Sequence, residues 1–263
     1  MYMKTINIFA LGILFTPFLS GCETVSQIAS TIPPATNTGA TSSSTSTAPK
    51  NTSGTITQTE AVTGIKQALS NGLNNSINTL SVRDGFLGNA AVKILMPQEA
   101  QQIEKTLRSV GMGALCDKFI TSLNRAAESA VKEAAPVFVN ALAQMTVTDA
   151  FNILLGSQQD AATSFFKRTT SATLTSKFSP IVESALGKNN VSSYWSQLTS
   201  AYNNLPLAGN KINTDLNAYV TQKAIDGLFV QIAGEETKIR QNIAGSRNTN
   251  ILNDVFGWVD KQK

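Results

Sequence analysis

The sequence predicts an all-α protein, a single domain of several short and medium helices around one core, preceded by a disordered tether. Three observations carry that expectation. From Ile56 onward, apolar residues recur every three or four positions almost without interruption, the spacing of one helix face. Gly and Pro punctuate this pattern at intervals suited to helix ends. The only short apolar run that could be a strand, Ala91 to Met96, has no neighbouring run to pair with and reads as an extended or irregular segment.

The chain opens with MYMKTINIFALGILFTPFLSGC, in which Lys4 precedes an apolar stretch from Ile6 to Leu19 broken by Pro17. That stretch is too short to span a membrane and is followed by polar sequence, as in a cleaved targeting segment. Leu19-Ser20-Gly21-Cys22 resembles the bacterial lipobox. The resemblance implies a signal peptide over 1–21, diacylglyceryl attachment to Cys22, cleavage before it, and acylation (palmitate-type chains) of the new amino terminus. Several acyl chains anchor stably where one is marginal. Glu23, in place of an aspartate that would resemble an inner-membrane retention signal, favours the outer membrane, with the protein facing the periplasm. Residues 22–55 form the tether: rich in Ser, Thr, Ala and Asn, with Pro33, Pro34 and Pro49 and no apolar period, they bury too little to offset the entropy of ordering.

The helices follow in order over residues 56–257. Val62, Ile65, Leu69, Leu73, Ile77 and Leu80 define the first, despite Gly64 and Gly72, and Arg83-Asp84-Gly85-Phe86 reads as a turn. Pro97 suits the first turn of a second helix through Ile103 and Leu107 that stops at Gly111. A long stretch from Ala114 buries Phe119, Leu123 and Ala127 and turns Arg125, Glu128 and Lys132 to the other side, with a break or kink expected at Pro136. Thr146-Val147-Thr148-Asp149 resembles a capping box and opens a helix closed at Gly156. A helix from Asp160 is expected to be interrupted at Pro180, resuming from Ile181 to Gly187. Tyr194, Leu198 and Tyr202 mark another short helix, and Pro206 and Gly209 a loop. Leu216 to Arg247 reads as one long helix, and Ile251, Leu252, Val255, Phe256 and Val259 as a terminal one, with 258–263 as a tail.

Composition removes several chemistries. Histidine is absent, which excludes His-based triads, general bases and metal ligands. With Cys22 in the lipobox, Cys116 is a lone thiol on a helical pattern and reads as a small core residue; neither a disulfide nor a metal site follows from it. The net charge of +4 is spread without a Lys/Arg run or an aromatic-interleaved basic patch, so nucleic acid is not an expected partner. No metal or other cofactor is expected.

The sharpest polar signal lies in the long helix from Leu216. Its apolar arc passes through Val220, Ala224, Ile225, Leu228, Ile232 and Ile239, yet Glu235 falls in the middle of that arc and Glu236 near its edge. Charges on a core-facing arc are expensive unless paired and hydrogen-bonded. Arg240, four residues after Glu236, is the local partner; Arg125 and Arg247 are distant candidates. Adjacent carboxylates on a helix point about 100° apart and cannot flank one bond. A buried ion network is therefore preferred to an acid/base pair. Arg125 and Glu128 read as an exposed ion pair unless their helix is sandwiched, Asp149 as a cap, and Thr163 as packing or bonding back to its own helix.

Blocks along 56–257 resemble a bacterial family catalogued as domain of unknown function 4197. They are Gly64-Ile65-Lys66-Gln67-Ala68-Leu69, Asp84-Gly85-Phe86, Leu123-Asn124-Arg125-Ala126-Ala127-Glu128 and Met145-Thr146-Val147-Thr148-Asp149-Ala150. Further on come Ala161-Ala162-Thr163, Tyr219-Val220, Gly227-Leu228-Phe229, Glu235-Glu236-Thr237-Lys238-Ile239-Arg240 and RNTNILNDVFG from Arg247. Phe166 stands where a tyrosine is expected and Ile243 where a proline is common. The resemblance implies an exported, often lipid-anchored helical protein and carries no activity across.

The sequence thus points to a lipid-anchored envelope protein with a non-catalytic structural or protein-interaction role, its partners being the membrane and another envelope protein. The alternative is a carrier of an apolar ligand held between helices and lined by Phe165, Phe166, Phe178, Phe229 and Phe256. A hydrolytic enzyme using Glu235 and Glu236 stands third. The candidate network is Arg125, Glu128, Asp149, Thr163, Glu235, Glu236, Arg240 and Arg247.

Overall fold

A computed structural model describes residues 56–204 and 214–262, all within the unit that spans Asn51–Lys263. The targeting segment, Cys22, the tether and the Pro206–Gly209 loop lie outside the described residues. Within them the fold is all-α. Nine α-helices follow one another: α1 Gln58–Leu80, α2 Gln101–Ser109, α3 Gly113–Val131, α4 Ala134–Gln144, α5 Val147–Leu155, α6 Ala161–Lys188, α7 Val191–Asn203, α8 Leu216–Gln241 and α9 Asn250–Asp260. Single 3-10 turns at Gln98–Ala100 and Ile243–Gly245 join two of the connections.

Helices α3, α6 and α8 pack on one another at the centre. α1 lies against α8, α7 against α3, and α9 against α1. Side chains at the anticipated spacing fill the space between them: Ile65, Leu73 and Leu80 of α1, Phe119 and Leu123 of α3, Phe166, Leu174 and Phe178 of α6, and Val220, Ala224 and Leu228 of α8 are all buried. Cys116 is fully enclosed, and burial pushes its thiol pKa up, as befits a core residue. Glycine at two positions permits close approach. A Cβ on Gly64 would stand 2.6 Å from Val255 Cγ2 of α9, and one on Gly227 would stand 2.7 Å from Phe86 Cε1.

The irregular segment before Pro97 is extended, with Val92, Ile94 and Met96 buried and Lys93 and Leu95 outward. An extended segment that buries part of its main chain needs a partner for it. Asn124 of α3 supplies one: its Oδ1 accepts from Ile94 N–H (2.9 Å) and its Nδ2 donates to Ile94 C=O (2.8 Å).

Three expected boundaries differ. Pro180 does not interrupt α6, which runs unbroken to Lys188. Both Pro180 and Ser176, whose carbonyl loses its intrahelical donor there, are exposed, so water can serve the freed carbonyl. The break expected at Pro136 is present: α3 ends at Val131 and α4 starts at Ala134, which leaves Pro136 in the first turn of α4, where a missing N–H costs little. α8 ends at Gln241 rather than at Arg247, with Asn242 left-handed at φ 51°. Finally α9 continues to Asp260 and buries Val259, so residues 258–260 belong to the folded domain and not to a tail.

No single described helix is long and apolar enough to cross a membrane. Only the pair α4 and α5, bent by 103°, reaches that composition jointly.

Candidate functional site

The site begins with a deficiency. Helix α6 opens at Ala161 behind Asp160, whose side chain makes no capping bond, so the N–H groups of the first turn lack local acceptors. Helix α5 ends at Leu155, leaving its last carbonyls without donors. Five residues join these two ends, and α8 passes beside the buried turns at Ile153 and Ala162.

Glu236 and Arg240 of α8 serve both ends. Glu236 Oε1 accepts from Ala162 N–H (2.9 Å), and Oε2 accepts from the N–H (2.9 Å) and hydroxyl (2.8 Å) of Thr163. Arg240 donates to Glu236 Oε1 through Nε (3.0 Å) and Nη2 (2.7 Å), and Nη2 also donates to Ile153 C=O (2.8 Å). The side chains of this pair are 5% and 6% exposed, so its strength is not diluted by water. Each charge also sits at the helix end of opposite partial charge, carboxylate at the start of α6 and guanidinium at the finish of α5. Thr163, expected to pack or bond within its own helix, instead donates its hydroxyl across to α8.

Glu235 is buried too, beside Gly72 of α1. Its Oε1 accepts from Lys238 Nζ (2.7 Å) and its Oε2 from Asn75 Nδ2 (3.3 Å). Lys238, however, is half exposed, so this pair is the softer of the two.

The remaining candidates do not join this network. Arg125 bridges Glu128 (2.7 Å) and Asp84 (2.7 Å), and Glu128 also accepts from Phe86 N–H (3.3 Å). Glu128 is only 4% exposed, which corrects the expectation of a surface ion pair: α3 lies between α6, α7 and α8, and its second face meets protein. Burial works against the Arg125 charge, but the bonds to Glu128 and Asp84 outweigh it and leave the pKa raised.

Arg247 folds back onto the end of α8, donating through Nε to Ile239 C=O (2.9 Å) and through Nη2 to Arg240 C=O (2.5 Å). Ser246 Oγ donates to Lys238 C=O (2.6 Å). These donors replace the next helical turn, which is why α8 stops where it does. Arg247 further pairs with Asp260 (2.6 Å) and lies over the Phe256 ring (5.2 Å).

Asp149 caps α5 with Thr146 as a reciprocal box, and the Thr146 hydroxyl, followed by its N–H, holds that carboxyl below the usual carboxylate range.

Asn124, Asn75, Asp84 and Asp260 complete these clusters without having been singled out. Asp84 and Asn124 lie within the blocks that carry the family resemblance, but their partners are far away in sequence. Of the phenylalanines proposed to line a ligand space, Phe166 packs on Phe165 (5.4 Å) and on Phe138 (5.5 Å), and Phe229 packs on Phe138 (6.4 Å), so these rings fill core space. Among the described residues, no cluster of three or more carboxylates or cysteines is placed to hold a metal ion.

Fold and site together define a class: small all-α domains in which buried ion pairs fasten helix ends. The chain belongs to the family described as "Protein of unknown function (DUF4197)", whose model matches residues 55–257. No curated protein and no solved structure gives a significant match to the chain.

Proposed function

We propose that this is a lipid-anchored protein of the cell envelope, held by Cys22 at the outer membrane and facing the periplasm, with a non-catalytic structural or protein-interaction role. The observation that carries the non-catalytic part is the full engagement of Glu236. Its Oε1 receives donors from Ala162 and Arg240 and its Oε2 from Thr163, so neither oxygen is free to take a proton from a substrate. Glu235 is tied to Lys238 and Asn75 on another side of the helix. Lipid anchoring rests on Leu19-Ser20-Gly21-Cys22 and the apolar stretch before it.

The test compares the full chain with its Cys22→Ser variant, expressed in a bacterium that processes lipoproteins. The native chain partitions into the detergent phase and incorporates labelled palmitate, whereas the variant does neither. Palmitate incorporation by the variant sinks the anchoring assignment. For the domain, Glu236→Gln should lower thermal stability while leaving pull-down of the envelope partner intact at temperatures where it stays folded.

A further inference from the structure

A groove of about 510 Å³ runs between α4 and α6, away from the ion pairs described above. Its size is that of a small-molecule site, but its walls are unlike an apolar pocket. Asn140 and Gln144 of α4 face Thr173 of α6 across it, and Arg168 and Lys177 stand along its α6 side. The side chains of Asn140, Gln144, Thr173 and Lys177, all exposed, make no hydrogen bond or ion pair with the described residues. Arg168 lies over the ring of Phe165 at 5.8 Å, which steadies the guanidinium, and its charge is felt by Asp149 on the same lining, while its N–H donors make no hydrogen bond. The one carboxylate on the lining, Asp149, has its Oδ2 committed to the cap at Thr146.

We infer that this groove binds a saccharide carrying carboxylate or phosphate groups. Arg168 and Lys177 are nine residues apart on α6, about 13 Å along its axis and about half a turn around it, so they flank opposite rims of the groove and do not converge on one small anion. The ligand must therefore carry its charges at intervals along a skeleton. Between the two cations the wall offers amides and a hydroxyl, which both donate and accept and so match ring hydroxyls and acetamido groups. The ring of Phe165 is 7% exposed and lies beneath Arg168, so it gives no platform for a nucleobase.

Titration calorimetry of the full chain with a tetrasaccharide of alternating N-acetylglucosamine and glucuronate tests this. The comparison probes are neutral chitotetraose, inorganic phosphate and tetraglutamate. Binding of the anionic saccharide alone is expected, weakening with added salt. The double variant Arg168→Gln/Lys177→Gln should weaken it about tenfold or more, with an unchanged melting temperature because both side chains are peripheral. Asn140→Ala should weaken it to a lesser degree. No heat with the tetrasaccharide, or full retention by the double variant, overturns the site. Equal binding of chitotetraose overturns the role of the cations, and equal binding of phosphate or tetraglutamate overturns the saccharide assignment.

Discussion

Glu236 and Thr163, separated by 73 residues, meet through two hydrogen bonds, one from the Thr163 N–H and one from its hydroxyl, both to Glu236 Oε2. The carboxylate on one helix thereby acts as the missing N-cap of another. Removing it strands Arg240 in a buried setting and uncaps α6 at once. Glu236→Ala should cost about 3–5 kcal/mol of unfolding free energy. A double-mutant cycle with Arg240→Ala, read by denaturant unfolding, should show strong coupling. Additive losses would mean that the two side chains act independently.

Glu235→Gln should be milder. It keeps the size of the side chain and the option of bonding Asn75, and it gives up a lysine that is half in water. A loss larger than the roughly 0.5 kcal/mol of an ordinary surface change is expected, yet well below that of Glu236→Ala. An unchanged melting temperature would place Glu235 in effective contact with solvent.

Gly227→Ala sets two effects of opposite sign against each other. Helix propensity favours alanine by about 1 kcal/mol. The added Cβ would lie 2.7 Å from the Phe86 ring, which is fully buried and has nowhere to retreat. The clash should win, with a net loss of about 1–3 kcal/mol. A rise in melting temperature would show that the segment carrying Phe86 moves aside.

Asn124→Ala removes the partner of an isolated extended strand and leaves the N–H and C=O of Ile94 buried without replacement. Each such group costs about 1–3 kcal/mol. Faster amide exchange at Ile94, alongside a lower denaturation midpoint, is the expected signature.

The cap at Asp149 predicts a pH effect. Its pKa is lowered in the folded state, so its contribution is present above the ordinary carboxylate value near 4 and is lost as pH falls through the folded value. The native chain should exceed Asp149→Asn in stability at pH 7 by no more than about 1 kcal/mol, since the group is partly exposed. That advantage should fade on titration toward pH 2. A gap that persists in acid would trace to packing and not to charge.

Much of this was legible in the sequence, for reasons particular to each residue. The helices were, because Leu123 or Leu228 can be recognised as buried from neighbours within one turn. Glu236 was recognisable as a misplaced charge, and Arg240 as its partner, because both lie on one helix at a spacing of four. Their service to α5 and α6 was not, since Ile153 and Ala162 are more than seventy positions away and nothing local marks a helix end as uncapped. Glu128 was read as exposed because apolar periodicity says nothing of a second face that meets protein through polar groups. Pro180 does not by itself mark a helix end, because what a proline does to a helix depends on whether water can reach the carbonyl it abandons. The end of α8 was missed because its stop signal is tertiary, the returning side chains of Ser246 and Arg247.

Helix α9 closes on α1 near the start of the domain. Val255 sits at Gly64 and Thr249 bonds Gln67 (3.1 Å), so the two helices run in opposite directions. The domain's first helical residue and its last, Gln58 and Asp260, consequently emerge side by side. Such a pair can be joined by a short linker and the chain reopened elsewhere, for instance at the exposed turn between α6 and α7, with its packing retained. A load drawn through the amino-terminal side would likewise draw α1 away from both α8 and α9.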